Sequence, residues 1–96
     1  MQFLSVSRRR TEAFPTEAWT PELLAAEGQR VRELYAEGTI RSIWRRQDMP
    51  GAAILIEAAN ENEARAAIES LPLAQRGMLE VIVFTALEPY PAFGPR

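Results

Sequence analysis

The alternation of apolar and polar positions predicts four strands and two helices in a single domain spanning residues 1–96. Stretches rich in β-branched and aromatic residues, or with alternating apolar positions, predict strands at 2–7, 40–46, 52–58 and 79–87. Two longer stretches with helical spacing lie between them, at about 20–37 and 60–71. The predicted order is therefore strand, helix, strand, strand, helix, strand.

Local signals mark the ends of both helices. Thr20 can cap the first helix, and Pro21 fits its first position. Gly38 has no Cβ and can adopt the left-handed conformation that ends a helix. Asn60, with Glu63 three residues later, has the pattern of a capping box. These boundaries are predicted from residue types that act locally.

The element order is typical of the split βαβ, or ferredoxin-like, arrangement. It predicts an α+β fold, βαββαβ, with two helices on one face of a four-stranded antiparallel sheet. Alternation along the first strand predicts that Leu4 and Val6 face the helices. The open face is predicted to carry Phe3, Trp44, Ile82 and Phe84. Since a monomer would expose this apolar surface, we expect a homodimer or larger homo-oligomer, built as a dimeric α+β barrel.

Composition restricts the chemistry and the partners. The chain has no cysteine and no histidine, so it has no disulfide, thiol nucleophile, His-dependent triad or imidazole-ligated zinc site. Acid–base chemistry must use Asp, Glu, Tyr, Arg or bound water. The net charge of −2 does not favour nucleic acid, and no apolar run approaches a membrane span of about 18 residues. We expect a cytoplasmic protein that binds a small molecule.

Three other segments have open interpretations. The triplet 8–10, three arginines, is either a solvated turn or an anion clamp at the mouth of a cleft. The connection at 11–20 contains Phe14 and Trp19, and we expect it to fold over the sheet, a ligand or a second subunit. The proline-rich tail at 88–96 contains Tyr90 and Phe93, which predict docking on the body or on a partner subunit.

Several short segments resemble the muconolactone delta-isomerase family. Gly38 and Trp44-Arg45 match its Gly-x-x-x-x-x-Trp-Arg pattern, and Ile56-Glu57 stands where the family has an aromatic residue and Asp. Leu71-Pro72-Leu73, followed by Glu80-Val81, resembles its Leu-Pro-Leu…Glu-Val pattern. The resemblance implies a ferredoxin-like dimeric barrel, no cofactor, and a double-bond shift in a small lactone carboxylate.

Such a shift requires a group that removes and returns a proton, and a positive charge or hydrogen-bond donors for the developing enolate. We expect Glu80 to be the base, because it lies on the predicted open face beside Ile82, where desolvation would make a carboxylate more basic. The predicted substrate contacts are two cations, two hydroxyls and two aromatic rings: Arg9, Arg46, Ser5, Ser7, Trp44 and Phe84.

Each of these assignments has a structural alternative. Glu80 can pair with an arginine at a subunit interface, and Trp44 can be a core or dimer contact.

Three functions therefore remain open. The first is a cofactor-free isomerase, cyclase or lyase for a small cyclic acid or lactone. The second is a non-catalytic barrel that binds small molecules or only assembles, and the third is a cofactor-independent oxygenase or cyclase. A solvent-filled pocket with Glu80 and an arginine would favour the first, and a pocket filled by side chains the second.

Overall fold

A computed structural model describes residues 1–93, which form one sheet with helices packed on one side. The elements in chain order are β1 (Gln2–Arg9), a 3₁₀ turn (Thr16–Ala18), α1 (Pro21–Ala36), β2 (Ile40–Arg45), β3 (Gly51–Glu57), α2 (Glu61–Glu69), the short α3 (Pro72–Gln75) and β4 (Leu79–Leu87). The strand order is β2-β3-β1-β4, and all neighbours are antiparallel. The predicted ferredoxin-like α+β arrangement is confirmed. Tyr90 and Phe93, on which the predicted docking of the tail rests, are 74% and 83% exposed, so neither ring is buried against the body of the chain, and docking on a partner subunit stays a prediction. Residues 94–96 lie outside the described residues.

The helix ends form as their residue types predict. Thr20 Oγ1 accepts a hydrogen bond from the Leu23 N–H at 3.1 Å, and Asn60 Oδ1 accepts one from the Glu63 N–H at 2.9 Å. Gly38 follows α1 with a φ of 84°, the left-handed conformation that glycine adopts without steric cost. No helix within residues 1–93 is long and apolar enough to cross a membrane.

The two faces of β1 are opposite to the prediction. Phe3, Ser5 and Ser7 are buried at 1%, 0% and 5% exposure, and Phe3 packs in the core with residues of α1 and α2. Leu4 and Val6 alternate with these residues and therefore lie on the open face. The error arose because apolar side chains occur on both faces of this strand, and the face that carries two serines is the buried one.

A bulge in β4 explains a second error. Val6 pairs with Val83 and Ser7 pairs with Val81, so Ile82 is an extra residue opposite β1. Such a bulge reverses the alternation between the two halves of a strand. Phe84 consequently lies on the helix side, with its ring centroid 6.1 Å from that of Phe3. The predicted placement of Phe3 and Phe84 on the open face is therefore wrong.

The open face is apolar, and no other part of residues 1–93 covers it. One row of neighbours crosses all four strands: Trp44, Ala53, Val6 and Val83. Trp44 is 58% exposed, and Ile82 is 53% exposed. Trp44 thus lies on the predicted face. Burial of this face by a second subunit stays a prediction.

Candidate functional site

A cavity of about 340 Å³ lies between α1 and the sheet, beside the end of β1; we refer to it as the inner cavity. Small residues from three elements, Ser7, Gly28 and Ala52, line it, and larger side chains there would occupy the space. Its other walls are mainly aliphatic, while its charged side chains are Arg9, Glu27 and Arg45. A small apolar space with a few polar groups is typical of ligand sites.

Glu27 is the carboxylate of the inner cavity, and sequence analysis did not select it. It extends from α1, and its Oε1 accepts a hydrogen bond from the Leu73 N–H at 2.9 Å. Burial raises the pKa of Glu27, while this hydrogen bond and the positive charge of Arg9 lower it by less. A carboxyl group with a raised pKa can both accept and return a proton closer to neutral pH.

One sequence signal could have identified Glu27. It lies four residues after the buried Leu23 and seven before the buried Leu34, so it is close to the packed stripe of α1. A carboxylate at such a position is either paired or placed at an opening in the core. The cavity that distinguishes these cases forms only when α1 packs on the sheet.

Arg9 and Arg45 provide two positive charges at the rim of the inner cavity. Neither forms an ion pair within residues 1–93, whereas Arg8 and Arg10, the two residues that flank Arg9, both do. Both also line an outer cavity of about 640 Å³, which shares Gly51 with the inner one. The two spaces therefore adjoin at a pair of guanidinium groups that are available to an anion.

The loop between β2 and β3 fixes the end of β1. Arg46 donates hydrogen bonds to both carboxylate oxygens of Asp48, at 3.1 and 2.8 Å, and one to the Ser7 carbonyl oxygen at 3.2 Å. These bonds to Arg46 lower the pKa of Asp48. A Cβ on Gly51 would lie 2.1 Å from the same carbonyl oxygen, so only glycine permits this approach. Arg46 borders the outer cavity, but its guanidinium group is already engaged.

Glu80 lies away from both cavities, on the open face. Its Oε1 accepts a hydrogen bond from Arg8 Nε at 2.5 Å, and Arg8 also pairs with Glu12 at 2.9 Å. The hydrogen bonds that Arg8 donates to Glu12 are the main cause that lowers the pKa of Glu12 to about 2. The Glu80 side chain is 51% exposed, so the expected desolvation is wrong for the single chain. A catalytic role for Glu80 stays a prediction.

The remaining candidates are divided between the inner cavity and the core. Ser7 and Arg9 line the inner cavity, and Trp44 borders it from a strand position whose side chain belongs to the open face. Ser5 and Phe84 instead lie in or against the core; Phe84 packs under the Arg65 guanidinium group, at 4.3 Å from the ring centroid. Within residues 1–93, no group of three or more Asp or Glu side chains could hold a metal ion.

Comparisons with known proteins identify a solved structure with the same fold and a matching protein family. The protein has the same fold as 5-chloro-2-hydroxyhydroquinone dehydrochlorinase from Burkholderia phenoliruptrix, whose structure was solved in complex with 2,5-dihydroxybenzoquinone. The two structures superpose with a TM-score of 0.70 and have 18% sequence identity; the match covers 92% of the present chain and 94% of the dehydrochlorinase chain. A search of curated proteins gave no match. The model of the muconolactone delta-isomerase family matches residues 1–92. Since this match covers nearly the whole sequence, the chain belongs to the muconolactone delta-isomerase family.

Proposed function

We propose that this protein is a cofactor-free isomerase that shifts a double bond in a small cyclic acid or lactone, with Glu27 as the base. The observation that carries the proposal is that Glu27 shares a small, largely apolar cavity with Arg9 and Arg45. Burial raises the pKa of Glu27, which suits a group that must take up and return a proton. Membership of the muconolactone delta-isomerase family supports this class of reaction.

The proposed reaction uses one carboxyl group twice. Ionised Glu27 removes a proton from a carbon next to a carbonyl group, and the electron pair of that C–H bond moves into an enolate. Protonated Glu27 then returns the proton to another carbon of the conjugated system, which moves the double bond and regenerates the carboxylate. Arg9 and Arg45 stabilise the negative charge of the substrate and of the enolate, and the Ser7 hydroxyl is available as a further donor.

The inner cavity also bears on the alternative functions. A barrel that only assembles does not require an unfilled space lined by a desolvated carboxylate and two arginines without ion pairs. The position of Glu27 therefore favours the isomerase over a purely structural role. We further propose that the working form is a homodimer or larger homo-oligomer, because the apolar row through Val6 and Val83 is not covered by other parts of the described chain, residues 1–93.

The test compares two conservative variants on opposite faces of the sheet. Small unsaturated lactone carboxylates are incubated with the protein in D₂O, and NMR follows both the double-bond shift and deuterium incorporation. Glu27→Gln should lower turnover by about 100-fold or more, because it removes the base and leaves the shape. Glu80→Gln should retain turnover within about threefold, since Glu80 lies outside the cavity.

If Glu80→Gln loses turnover and Glu27→Gln retains it, the base is Glu80. If both variants retain full turnover, neither carboxylate is the base, and the proposed mechanism is wrong. A heteronuclear NMR spectrum of each variant shows whether it has kept the native fold, so a loss of turnover through unfolding is recognised directly.

A further inference from the structure

The three consecutive arginines at the end of β1 have different environments. Arg8 is ion-paired with Glu12 and with a second glutamate on β4. Arg10 donates a hydrogen bond to the Gly77 carbonyl oxygen at 3.0 Å and lies 3.9 Å from Glu12. Arg9 forms no ion pair within residues 1–93, although its positive charge lowers the pKa of Glu27. Of this triplet, Arg9 is therefore the arginine whose charge is available to a ligand.

An aromatic ring supports the Arg9 side chain instead of a carboxylate. The Arg9 Cζ lies 5.6 Å from the centroid of the Trp19 ring, within the range of a cation–π contact. The backbone of Arg9 is also fixed, since its N–H donates to the Pro50 carbonyl oxygen at 2.9 Å. An indole face holds a guanidinium group in place without neutralising it, which leaves its N–H donors free for an acid.

Trp19 is itself held firmly. Its ring packs against a buried cluster that includes Leu23 and Met78. The Phe14 ring meets it edge-on, with centroids 6.2 Å apart, and Trp19 Nε1 donates to the Phe14 carbonyl oxygen at 3.4 Å. Trp19 and Phe14 also bound a third cavity, of about 380 Å³, that shares Arg9 with the inner cavity. The predicted folding of this connection over the body of the protein thus gives Arg9 a rigid support.

We propose that Trp19 is a positioning residue that holds the Arg9 guanidinium group at the inner cavity and makes the site selective for ligands with a carboxylate. This inference rests on the proposed function for its site, and it adds the residue that sets charge specificity. A flexible arginine pays an entropic cost when it binds an anion, and a guanidinium group already placed against a ring loses less freedom. Removal of the ring face should therefore lower the binding affinity for carboxylate ligands more than the affinity for uncharged ones.

The test measures affinity for benzoate and for benzamide, which has a similar shape but no charge, by NMR titration of the full chain. Wild type should bind benzoate about 10-fold more tightly than benzamide. Trp19→Met keeps an apolar side chain but removes the ring face. It should lower the affinity for benzoate about 3- to 30-fold, while the affinity for benzamide changes little. Trp19→Phe, which restores a ring, should recover most of the lost affinity.

A charge-matched pair of variants provides the control. Arg9→Gln should remove the preference for benzoate, whereas Arg76→Gln, which makes the same change of net charge at an exposed residue outside the cavities, should retain it. An unchanged ratio of benzoate to benzamide affinity in Trp19→Met would overturn the proposal. The absence of saturable benzoate binding to wild type would do the same.

A second measurement decides the question if Trp19→Met does not fold. In wild type, the NMR signal of the Trp19 indole N–H should shift saturably with benzoate, and benzamide should not produce this shift. No such change would contradict the role of Trp19. The catalytic proposal is tested by turnover, whereas this one is tested by the ratio of benzoate to benzamide affinity in a chain that keeps Glu27, so failure of the two proposals is distinguishable.

Discussion

The two faces of the sheet differ in both packing and chemistry. On the helix side, β1 buries Phe3 and two serines, and a cavity remains where α1 passes over the second of them, Ser7. On the open side, an apolar row that includes Val6 and Trp44 is partly exposed and is not covered by other parts of residues 1–93. We therefore propose that ligand binding and assembly use separate surfaces, so that a contact between sheets need not obstruct the cavity.

The carboxylates on the two faces show the same division. Glu80 has a guanidinium partner and is half exposed, so its charge is already compensated on the open face. Glu27 has one backbone donor and a largely apolar surrounding, so its charged form is poorly solvated. Desolvation makes a carboxylate more basic, whereas a carboxylate in a salt bridge already has a partner for its charge. This contrast is the reason to place the base at Glu27.

The largest expected effect comes from a charge placed in the middle of the open face. Val6→Glu should convert the predicted oligomer into a folded monomer, because burying an unpaired carboxylate in an apolar interface costs several kcal/mol, or roughly 1,000-fold in the association constant. Sedimentation equilibrium measures the change. Ala25→Glu adds the same charge at an exposed position on α1 and should leave the assembly intact. A wild-type protein that is already monomeric at micromolar concentration would contradict the predicted interface.

Sequence alone was sufficient for the four strands, the two longer helices and their order, because the signals involved are local; the short α3 (Pro72–Gln75) was instead predicted to be a connection. Thr20, Gly38 and Asn60 act on the backbone within a few residues, and each is found where its chemistry predicts. The fold class followed from this order. These features do not depend on which side chains meet across the sheet.

The orientation of the strands could not be predicted, because it depends on tertiary packing. Serines are usually exposed, so Ser5 and Ser7 did not indicate a buried face. A single extra residue at Ile82 then shifted Phe84 to the other side of the sheet. The cavity was missed for the same reason, since it depends on three elements that contribute small residues at one place.

A smaller effect is expected from filling the inner cavity. Ala52 and Ala53 are consecutive in β3, but Ala52 lines the cavity and Ala53 pairs with Trp44 on the open face. Ala52→Leu should reduce benzoate affinity by about 10-fold or more by occupying the space, and the melting temperature should stay near that of wild type because the cavity accepts the added atoms. Ala53→Leu is the matched control.

The two leucine variants should also differ in assembly. Ala53→Leu should retain benzoate affinity and change the assembly equilibrium measured by sedimentation, whereas Ala52→Leu should leave that equilibrium unchanged. Equal losses of benzoate affinity in both variants would show that the two faces are not independent. Wild-type affinity in Ala52→Leu would show that benzoate binds elsewhere.

The smallest expected effect is a displacement of the pH profile. Glu27 must be ionised to act as the base, so kcat/KM should fall as the pH decreases through its pKa. Burial raises the pKa of Glu27, which places this acidic limb above the range of an ordinary glutamate. The positive charge of Arg9 acts in the opposite direction. Arg9→Gln should therefore move the limb to higher pH, by about one pH unit or less.

The pH dependence of stability provides an independent measure of the raised pKa of Glu27. Because the pKa of Glu27 is higher in the folded chain than in the unfolded chain, folding is favoured at low pH, and this contribution is lost as the pH rises through the folded-state pKa. Urea unfolding across that window should show a decrease in stability with rising pH that is absent in Glu27→Gln. Glu80→Gln should keep the wild-type decrease, since Glu80 lies on the other face.

The kinetic pH profile of Arg9→Gln can contradict the charge arrangement proposed for the inner cavity. If the acidic limb of kcat/KM moves to lower pH in this variant, Arg9 does not face Glu27, and the proposed arrangement is wrong.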